Sequence, residues 1–290
     1  MQIGRTLDQL AAAMQRGESI TAANGLMGAL ATLHALQPDF AAVRNSLRAH
    51  PIHAMLLEDP HSNRAFTKPR GYAGDAELID YYYDRVPPAG TTALGKTLFD
   101  ITTGFATSQA VDFRRGYAAE RLERAWIAGK RVCALACGHW READGLAGKD
   151  VSNLVGVDQD PLSLGRVRAK HNRSIHLVEA NVLHYLRNAA RDGERFDFIY
   201  TLGLTDYFDD RAMRLLYRLM QQCLAPKGEF LVANFMPGHI SSGWMDAVMD
   251  WQLVYRDAPE MLALASEIGM AATVCTDPTD SIIICEMRPR

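Results

Sequence analysis

A turn and a carboxylate in the middle of the chain have the spacing of a nucleotide-binding site. The apolar run from Val132 to Ala136 is long enough for one buried strand, and Gly138 follows in a small-residue turn. A second apolar run, Leu154 to Val157, ends in Asp158. Asp158 lies about twenty residues beyond the glycine, the spacing at which an acid accepts hydrogen bonds from ribose hydroxyls. The alternative is an ordinary βαβ crossover with a surface aspartate.

The turn lacks the glycines of the phosphate-binding motifs. A G-x-G-x-x-G fingerprint would need two more glycines, and the turn instead carries Ala136 and Trp140 around Gly138. We expect Trp140 to crowd a pyrophosphate, which needs bare backbone N–H groups at close range. The chain contains no G-x-x-x-x-G-K-S/T loop either. The pattern therefore favours a nucleoside ligand without phosphates, for which one tight turn and one ribose acceptor suffice.

Composition and charge narrow the class of protein. The chain has 290 residues, of which 48% are hydrophobic, enough for one large domain or for a domain with an appended module. A net charge of -3 provides no positive field for a phosphate backbone, which argues against nucleic acid as a partner. The five cysteines are odd in number and form no C-x-x-C pair, which favours a reduced compartment over a disulfide framework or a zinc knuckle.

The amino-terminal sequence carries no signal for export or membrane insertion. It has no basic region followed by an apolar core. The most apolar early stretch, Ala22 to Leu36, is too short to span a bilayer and is interrupted by Asn24 and His34. We therefore predict a cytoplasmic protein without stable membrane association.

Residues 1–128 are predicted to form a helical region that caps the main domain and contributes to its substrate pocket. Leu7, Leu10 and Met14, for example, recur at helical spacing. A homodimer contact through this region stays open. Four arginines near its end are interpreted as a solvated helix face: Arg114, Arg115, Arg121 and Arg124.

A loop rich in glycine and proline, residues 68–75, lies within the helical region. Asp75 at its end can act as the N-cap of the following helix. We interpret the loop as a lid whose Arg70 and Tyr72 point into a cleft, and a structured linker is the alternative.

Three histidines precede this loop: His50, His53 and His61. They lie in a proline-broken stretch without a supporting pattern of carboxylates. We therefore predict no metal site.

Residues 129–290 are predicted to form an α/β domain. Apolar runs alternate with helical patterns through five βα units, and Phe196 to Leu202 is apolar on both faces, as parallel strands are. The last two runs, Ala272 to Cys275 and Ile282 to Met287, are joined by too short a connection for a parallel crossover, so they must pair antiparallel. The prediction is a Rossmann-like seven-stranded sheet, mostly parallel, with an antiparallel last strand. A helix is predicted from Trp244 to about Ile268.

Four stretches of the chain carry a family resemblance. They are K-P-R-G-Y-A-G-D at 68–75, A-C-G-H-W-R-E at 136–142, Y-T-L-G-L-T-D-Y-F at 200–208, and the segment from N-F at 234 to D-W-Q-L-V-Y-R ending at 256. Together with the α/β order, they resemble the class I S-adenosylmethionine-dependent methyltransferases. Within that class they are similar to a bacterial family that forms methyl esters of 3-hydroxy fatty acids, used as extracellular signals.

The first motif departs from that of the class. The class usually has an acid near position 134 and glycines near positions 136 and 140. This chain has Ala134, Ala136 and Trp140 there. His139 stands where the bacterial family has a small residue or proline.

The resemblance implies S-adenosylmethionine as the cofactor. Gly138 and its neighbours would lie under the methionine part, Asp158 would hold the ribose hydroxyls, and Gln159 would lie beside the adenine. The implied cofactor-binding residues are Tyr72, Ala136, Gly138, His139, Asp158, Gln159, Asn181, Val182, Leu202 and Gly203. Of these, Asn181 and Val182 would take the adenine edge, and the last two would flank the cofactor.

The acceptor group decides what else the site needs. A carboxylate acceptor is ionised at neutral pH and needs an orienting partner rather than a base. The substrate-binding candidates are Arg70, Tyr72, Tyr207, Asn234 and Arg256. A hydroxyl or amine acceptor must lose a proton, for which His139 or Asp206 is the candidate base. Tyr72 completes the catalytic candidates, and Asp206 could equally cap the helix that begins near Asp209.

The predicted function is methyl transfer to a small molecule, with a carboxylate of a fatty-acid-like or secondary metabolite as the preferred acceptor. The alternative among enzymes is N- or O-methylation of a natural product. The alternative from another class is a cofactor-binding regulatory or scaffolding protein without catalysis.

Overall fold

Seven strands form a single sheet in the computed structural model, which describes residues 2–36, 40–171 and 174–290. The strands are β1 (Val132–Leu135), β2 (Leu154–Asp158), β3 (His176–Glu179), β4 (Phe196–Thr201), β5 (Leu224–Phe235), β6 (Met270–Thr276) and β7 (Ile282–Pro289). They lie in the order β3-β2-β1-β4-β5-β7-β6. The first five strands are parallel, and β7 is antiparallel to both β5 and β6. The structure confirms the predicted Rossmann-like α/β fold.

The described part of the chain also forms thirteen α-helices. They are α1 (Gln2–Gln15), α2 (Ser19–Leu36), α3 (Ala41–Ala49), α4 (Ile52–Leu56), α5 (Pro60–Thr67), α6 (Ala76–Asp84), α7 (Ala93–Thr103), α8 (Ala106–Ile127), α9 (Pro161–His171), α10 (Val182–Arg191), α11 (Asp210–Gln222), α12 (Ser242–Ala247) and α13 (Ala258–Glu267). Two short 3₁₀ helices, Arg141–Leu146 and Thr205–Tyr207, follow β1 and β4. Within the described ranges, no helix has both the length and the apolarity needed to cross a membrane.

The central strands are buried on both faces, which explains their unbroken apolar sequences. Every residue of β1 and β2 is buried. The strand order reverses at β1, which has β2 on one side and β4 on the other. The connections that leave β1 and β4 therefore diverge. Open parallel sheets bind ligands at such a point, outside the carboxyl ends of the strands.

One face of the sheet packs against α10, α11 and α13 in a continuous hydrophobic core. Val155 and Val157 of β2 belong to this core, together with Leu186, Leu216 and Met261 from the three helices. All of these side chains are buried. This packing anchors the strands whose ends form the site described below.

The chain divides into two compact units. The helical unit comprises residues 1–112 and 237–252, and the sheet unit comprises residues 113–236 and 253–290. This division differs from the predicted boundary between residues 128 and 129 in two places. The second half of α8 joins the sheet unit, and a later segment joins the helical unit.

The second half of α8 belongs to the sheet unit because its polar side chains bind the strands. Tyr117 Oη donates to Glu286 Oε1 at 2.9 Å. Arg121 forms ion pairs with Glu229 at 2.7 Å and with Glu286 at 3.2 Å. The boundary between residues 112 and 113 therefore falls inside α8, which runs on to Ile127 without a break.

The segment 237–252 belongs to the helical unit because it is buried among the amino-terminal helices. Trp244 is almost fully buried, and its Nε1 donates to Ser62 Oγ at 3.1 Å. Gly243 lets α12 approach α2 closely, since a Cβ there would lie 2.3 Å from the Leu30 carbonyl oxygen. The apolar and small residues of this segment thus complete a helical core.

The predicted helix from Trp244 to about Ile268 is wrong. Asp250 has a left-handed backbone (φ 50°) between α12 and α13, which a right-handed helix does not tolerate. A new helix start follows, where Asp257 Oδ1 accepts from Glu260 N at 3.0 Å and Glu260 Oε2 accepts from Asp257 N at 2.8 Å. This capping box is visible in the sequence as D-x-x-E before an apolar run.

Gly156 in β2 is required because an indole ring occupies the space of a side chain there. A Cβ at residue 156 would lie 2.6 Å from Cζ3 of Trp140 and 3.0 Å from Cδ2 of Leu177. Trp140 itself is fully buried. Packing, rather than backbone conformation, therefore selects glycine at this position.

Gly156→Ala is expected to lower the free energy of unfolding by about 1–3 kcal/mol, because the added methyl group overpacks the ring of Trp140. Gly116→Ala is the matched control, since nothing lies within 4 Å of a Cβ at that helical position. There, alanine is expected to stabilise by about 0.5–1 kcal/mol. Urea unfolding followed by circular dichroism gives both values. An equal change in the free energy of unfolding for the two variants would contradict the packing of Trp140 on β2.

Candidate functional site

The turn after β1 has an unusual backbone. Ala136, Gly138 and Trp140 all have positive φ angles, of 52°, 54° and 45°. This left-handed conformation costs a residue with a side chain about 1–2 kcal/mol, so alanine and tryptophan rarely adopt it. The turn therefore has a backbone that glycines adopt readily, although residues 136 and 140 are not glycines.

Trp140 holds the turn in this conformation. Its ring packs over Gly156, and its indole N–H donates to Tyr200 Oη at 2.5 Å. Because the ring is fully buried, the expected crowding of a ligand by Trp140 is wrong. The surface of the turn is left to Ala136, which is exposed, and to Gly138, which is half-buried.

Asp158 at the end of β2 is tied to this turn. Its Oδ2 accepts from Gly138 N at 2.7 Å, and its Oδ1 accepts from Asp160 N at 2.8 Å. Burial raises the pKa of Asp158, and the backbone N–H groups of Asp160, Gly138 and Gln159 oppose this shift. A carboxylate offers about four acceptor positions, so the backbone donors leave acceptor capacity on Asp158. This remaining capacity fits the ribose hydroxyls of an adenosine ligand.

The remaining predicted adenine contacts lie at the carboxyl ends of β2 and β3. Gln159 is exposed directly after Asp158. Asn181 is exposed and caps α10, where its Oδ1 accepts from Leu183 N at 3.0 Å. The side chain of Val182 is buried in the core, so a contact of Val182 with a ligand is restricted to its backbone.

Asp206 lies in the 3₁₀ helix after β4 and is 2% exposed. Its Oδ1 accepts from Phe235 N at 2.7 Å, and its carbonyl oxygen accepts from Val254 N at 2.7 Å. Burial raises the pKa of Asp206 to about 6, and Arg114 and the Phe235 N–H oppose the shift. Asp206 therefore joins strand ends, and its role as a base stays a prediction.

The alternative role of Asp206 as the cap of α11 is wrong. Asp209 caps α11, since its Oδ1 accepts from Ala212 N at 2.8 Å. The two aspartates are close in sequence, but only Asp209 has the extended backbone of an N-cap, at φ -67° and ψ 171°.

Asn234 and Arg256, which were predicted to bind the substrate, both have side chains that are withdrawn into the protein. Asn234 has no exposed surface and donates from Nδ2 to the Val254 carbonyl at 2.9 Å. Arg256 is 2% exposed and donates to the carbonyls of Thr205 and Phe208, at 3.2 and 2.7 Å. Together they hold the segment after β4 against the end of β5.

The other predicted residues divide between the two units. Tyr207 is 40% exposed after β4, and His139 is buried beside the turn glycine. Arg70 and Tyr72 belong to the helical unit, where Arg70 Nη2 pairs with Glu77 Oε2 at 3.0 Å. The substrate and catalytic roles of these four residues stay predictions.

Sequence reasoning missed Arg114. It was assigned to a solvated face, which is correct for Arg124, whose side chain is 70% exposed. Arg114 is 5% exposed, and its Nη1 donates to the Leu202 carbonyl at 2.7 Å. A signal was present, because Arg114 interrupts a stripe of apolar residues at i, i+4 spacing that includes Ala118 and Leu122, both fully buried.

Glu142 was missed as well. It lies half-buried in the 3₁₀ helix after β1. Burial raises the pKa of Glu142 to about 7, and the charges of Arg114 and Arg115 oppose the shift. A carboxyl group that titrates near neutral pH beside the turn is suited to proton transfer.

The three histidines considered for a metal are engaged separately. His53 contacts the Val248 carbonyl at 3.0 Å, His50 contacts Asp8 at 3.1 Å, and His61 packs edge-on against Tyr82. Among the residues that the structure describes, no group of three or more His, Cys, Asp or Glu is placed to hold a metal ion.

Comparisons with known proteins identify the fold. No protein-family model and no curated protein sequence matches the chain. It is similar to the structure of a possible exported protein from Bordetella parapertussis, at 18% identity and a TM-score of 0.58, over 94% of this chain and 96% of that one. This likeness extends over nearly the whole chain and concerns the fold alone.

Two methyltransferase structures are also similar. One is magnesium protoporphyrin IX methyltransferase from Synechocystis PCC 6803 with bound SAH, at 12% identity and a TM-score of 0.48, over 74% of this chain and 98% of that one. The other is the N-methyltransferase NodS from Bradyrhizobium japonicum WM9 with bound S-adenosyl-L-homocysteine, at 16% identity and a TM-score of 0.43, over 60% and 86% of the two chains.

Asp206 is expected to make stability depend on pH between about pH 4 and pH 6. Its pKa rises from 3.8 to about 6 on folding, so the folded state binds more protons than the unfolded state in this window. Stability therefore falls as the pH rises through the window. Asp206→Asn removes the titration and keeps an oxygen for the Phe235 N–H. The difference between the two free energies of unfolding, wild type minus variant, should fall from about pH 4 to pH 6 and then level off. A constant difference would contradict the buried titration.

Proposed function

We propose that this protein is an S-adenosylmethionine-dependent methyltransferase that acts on a small-molecule carboxylate. The proposal is carried by one observation, the bond between Asp158 Oδ2 and Gly138 N within the left-handed turn after β1. The bond joins the carboxyl ends of two neighbouring parallel strands, beside the reversal of strand order. Open α/β sheets bind nucleotides at this place. The free acceptor positions of Asp158 suit the ribose hydroxyls.

When bound, S-adenosylmethionine supplies a methyl group on a positively charged sulfur, already activated for transfer. The residues of the chain then have to hold the acceptor atom in line with that methyl group. Such positioning can supply about 7–11 kcal/mol of barrier reduction. A carboxylate acceptor is ionised at neutral pH and needs no base. Asp206, a candidate base, is hydrogen-bonded to the end of β5, which agrees with an acceptor that needs no base.

The carboxylate acceptor is supported by the resemblance to the family that forms methyl esters of 3-hydroxy fatty acids. A fatty-acid-like or secondary metabolite is therefore the substrate class that we propose. Arg70 and Tyr72 are retained as candidates for orienting the acceptor. Asn234 and Arg256 are given a structural role instead.

A second candidate, methylation of a hydroxyl or amine, is favoured by Glu142. Its pKa of about 7 suits a general base at neutral pH. Such a base would be required to remove the proton of a neutral acceptor. A flat pH profile of turnover from about pH 6 to pH 8 would support the carboxylate acceptor, and a rise centred on the pKa of Glu142 would support the second candidate.

Calorimetric titration with S-adenosylmethionine and S-adenosylhomocysteine tests the class, and incubation with 3-hydroxy fatty acids tests the reaction. Saturable binding with release of S-adenosylhomocysteine and a methyl ester would support the proposal. Binding without turnover of any acceptor would favour the regulatory or scaffolding alternative. Failure to bind either ligand would contradict the proposal as a whole.

Asp158→Ala is expected to weaken S-adenosylhomocysteine binding at least tenfold, about 1.4 kcal/mol, because the ribose hydroxyls lose their acceptor. The matched control is Asp150→Ala, which removes the same charge ahead of the amino end of β2, where Asp150 accepts from Ser152 N. The control is expected to bind as the wild type does. Unchanged affinity of the Asp158 variant, with a native circular dichroism spectrum, would contradict the ribose site.

We further propose a cytoplasmic location, which is supported by the cysteines. All five are free thiols, and Cys133, Cys223 and Cys285 are buried. A homodimer stays a prediction, and light scattering of the purified protein measures its mass directly.

A further inference from the structure

Arg114 is a buried cation whose hydrogen-bonding capacity is only partly used. Its side chain is 5% exposed, and Nη1 donates to the Leu202 carbonyl at 2.7 Å. Among the described residues, the buried Nε has no hydrogen-bond partner, and Nη2 donates to none. Burying a charged group with donors left over is costly, so such groups in native proteins are normally paired. The two unused donors of Arg114 therefore need a partner.

Asp206 is close to Arg114 but does not supply that partner. Its Oδ2 lies 3.9 Å from Nη1, which is beyond hydrogen-bond distance. Its Oδ1 already accepts from Phe235 N at 2.7 Å. Asp206 thus partly balances the charge of Arg114 from the Nη1 end and leaves the opposite edge of the guanidinium available.

The available edge is one that recognises carboxylates. Nε and Nη2 of a guanidinium present two parallel N–H groups, which match the two oxygens of a carboxylate. Gly203 lies beside the Nη end of the guanidinium, since a Cβ at that position would lie 3.4 Å from Nη2 and 3.8 Å from Nη1. The ring of Phe235 lies under the guanidinium, with its centroid 5.6 Å from Cζ, and the Arg114 side chain is 5% exposed. Low exposure to water strengthens a charge-assisted hydrogen bond.

The position of Arg114 in the fold places this edge where a ligand binds. Leu202 and Gly203 follow β4 directly, and β4 is the neighbour of β1 at the reversal of strand order. Under the proposed function, two ligands carry a carboxylate at this place. One is the cofactor, through its amino-acid part, and the other is the methyl acceptor.

We propose that Arg114 is the carboxylate-binding residue of the site and holds a ligand carboxylate through Nε and Nη2. The inference rests on the proposed function and adds a specificity-determining residue to it. Arg114 selects ionised ligands over neutral ones, because a neutral group would leave the guanidinium buried and unpaired. The cofactor and the acceptor are separated as sources of the carboxylate by the choice of probes.

The experiment compares pairs of ligands that differ in the carboxylate. S-adenosylhomocysteine is paired with 5′-methylthioadenosine, which lacks the amino-acid part. With S-adenosylhomocysteine saturating, 3-hydroxydodecanoate is paired with its neutral amide. Each is titrated calorimetrically into the wild type, Arg114→Lys and Arg114→Met. The lysine variant keeps the charge near Leu202 but has no two-donor edge. Arg124→Lys is the matched control, since Arg124 is an exposed arginine of the same helix.

Arg114→Lys is expected to weaken the binding of one carboxylate ligand at least tenfold and to change the affinity for its neutral counterpart by less than about twofold. The pair that shows this difference identifies whether the carboxylate belongs to the cofactor or to the acceptor. If Arg114→Lys weakens the binding of the carboxylate and of the neutral ligand equally in both pairs, Arg114 has a structural role and the inference is overturned. Wild-type affinities in both Arg114 variants would also overturn it. Failure of the wild type to bind S-adenosylhomocysteine would instead overturn the proposed function, and this inference with it.

Discussion

The packing of Trp140 on Gly156 is the constraint on which the candidate site depends. The indole ring lies inside the protein and donates a hydrogen bond to Tyr200, and these contacts hold the turn that carries it. The turn keeps Ala136 and Trp140 left-handed, a conformation that neither residue prefers. The cost of this backbone is offset by a fully buried aromatic side chain, which contributes a large apolar area to the interior.

The turn after β1 also positions the polar groups of the site. Because β1 and β2 are neighbours in register, Asp158 at the end of β2 can reach the N–H of Gly138. The same carboxylate also receives the N–H of Asp160, which starts the connection to α9. One buried side chain thus accepts hydrogen bonds from two loops and still has acceptor capacity for a ligand. A glycine-rich turn achieves this geometry through backbone freedom, and this chain achieves it through side-chain packing.

A second polar cluster organises the carboxyl ends of β4 and β5. Asp206 and Arg256 bind backbone groups of the segments that leave these strands. In such a dry environment hydrogen bonds are strong and unpaired groups are costly, so the cluster specifies one arrangement of the loops. Arg114 belongs to the same neighbourhood but is not fully paired there. Within the described part of the chain, Arg256 donates four hydrogen bonds from its Nη atoms, whereas Arg114 donates one, and this contrast separates a structural cation from a candidate ligand-binding one.

Most of the fold could be predicted from local sequence because its signals are local. Apolar runs between turn residues mark the strands, and a connection too short for a crossover requires that β6 and β7 pair antiparallel. Asp75 as the cap of α6 was predicted in the same way and is confirmed. The helix break at Asp250 was missed because a left-handed aspartate has no strong sequence signal. The capping box at Asp257 was a usable signal that was overlooked.

The candidate site was predictable only in part, for a different physical reason. The sequence by itself determined that Gly138 follows one strand and that Asp158 ends the next strand along the chain, because apolar runs and turn residues are local signals. Only the tertiary structure decided which way side chains point. Trp140 points into the core, Arg256 donates hydrogen bonds to backbone carbonyls, and Arg114 is buried. Each of these orientations depends on partners that are distant in sequence. Long-range packing therefore assigned the roles of residues whose positions the sequence had already set.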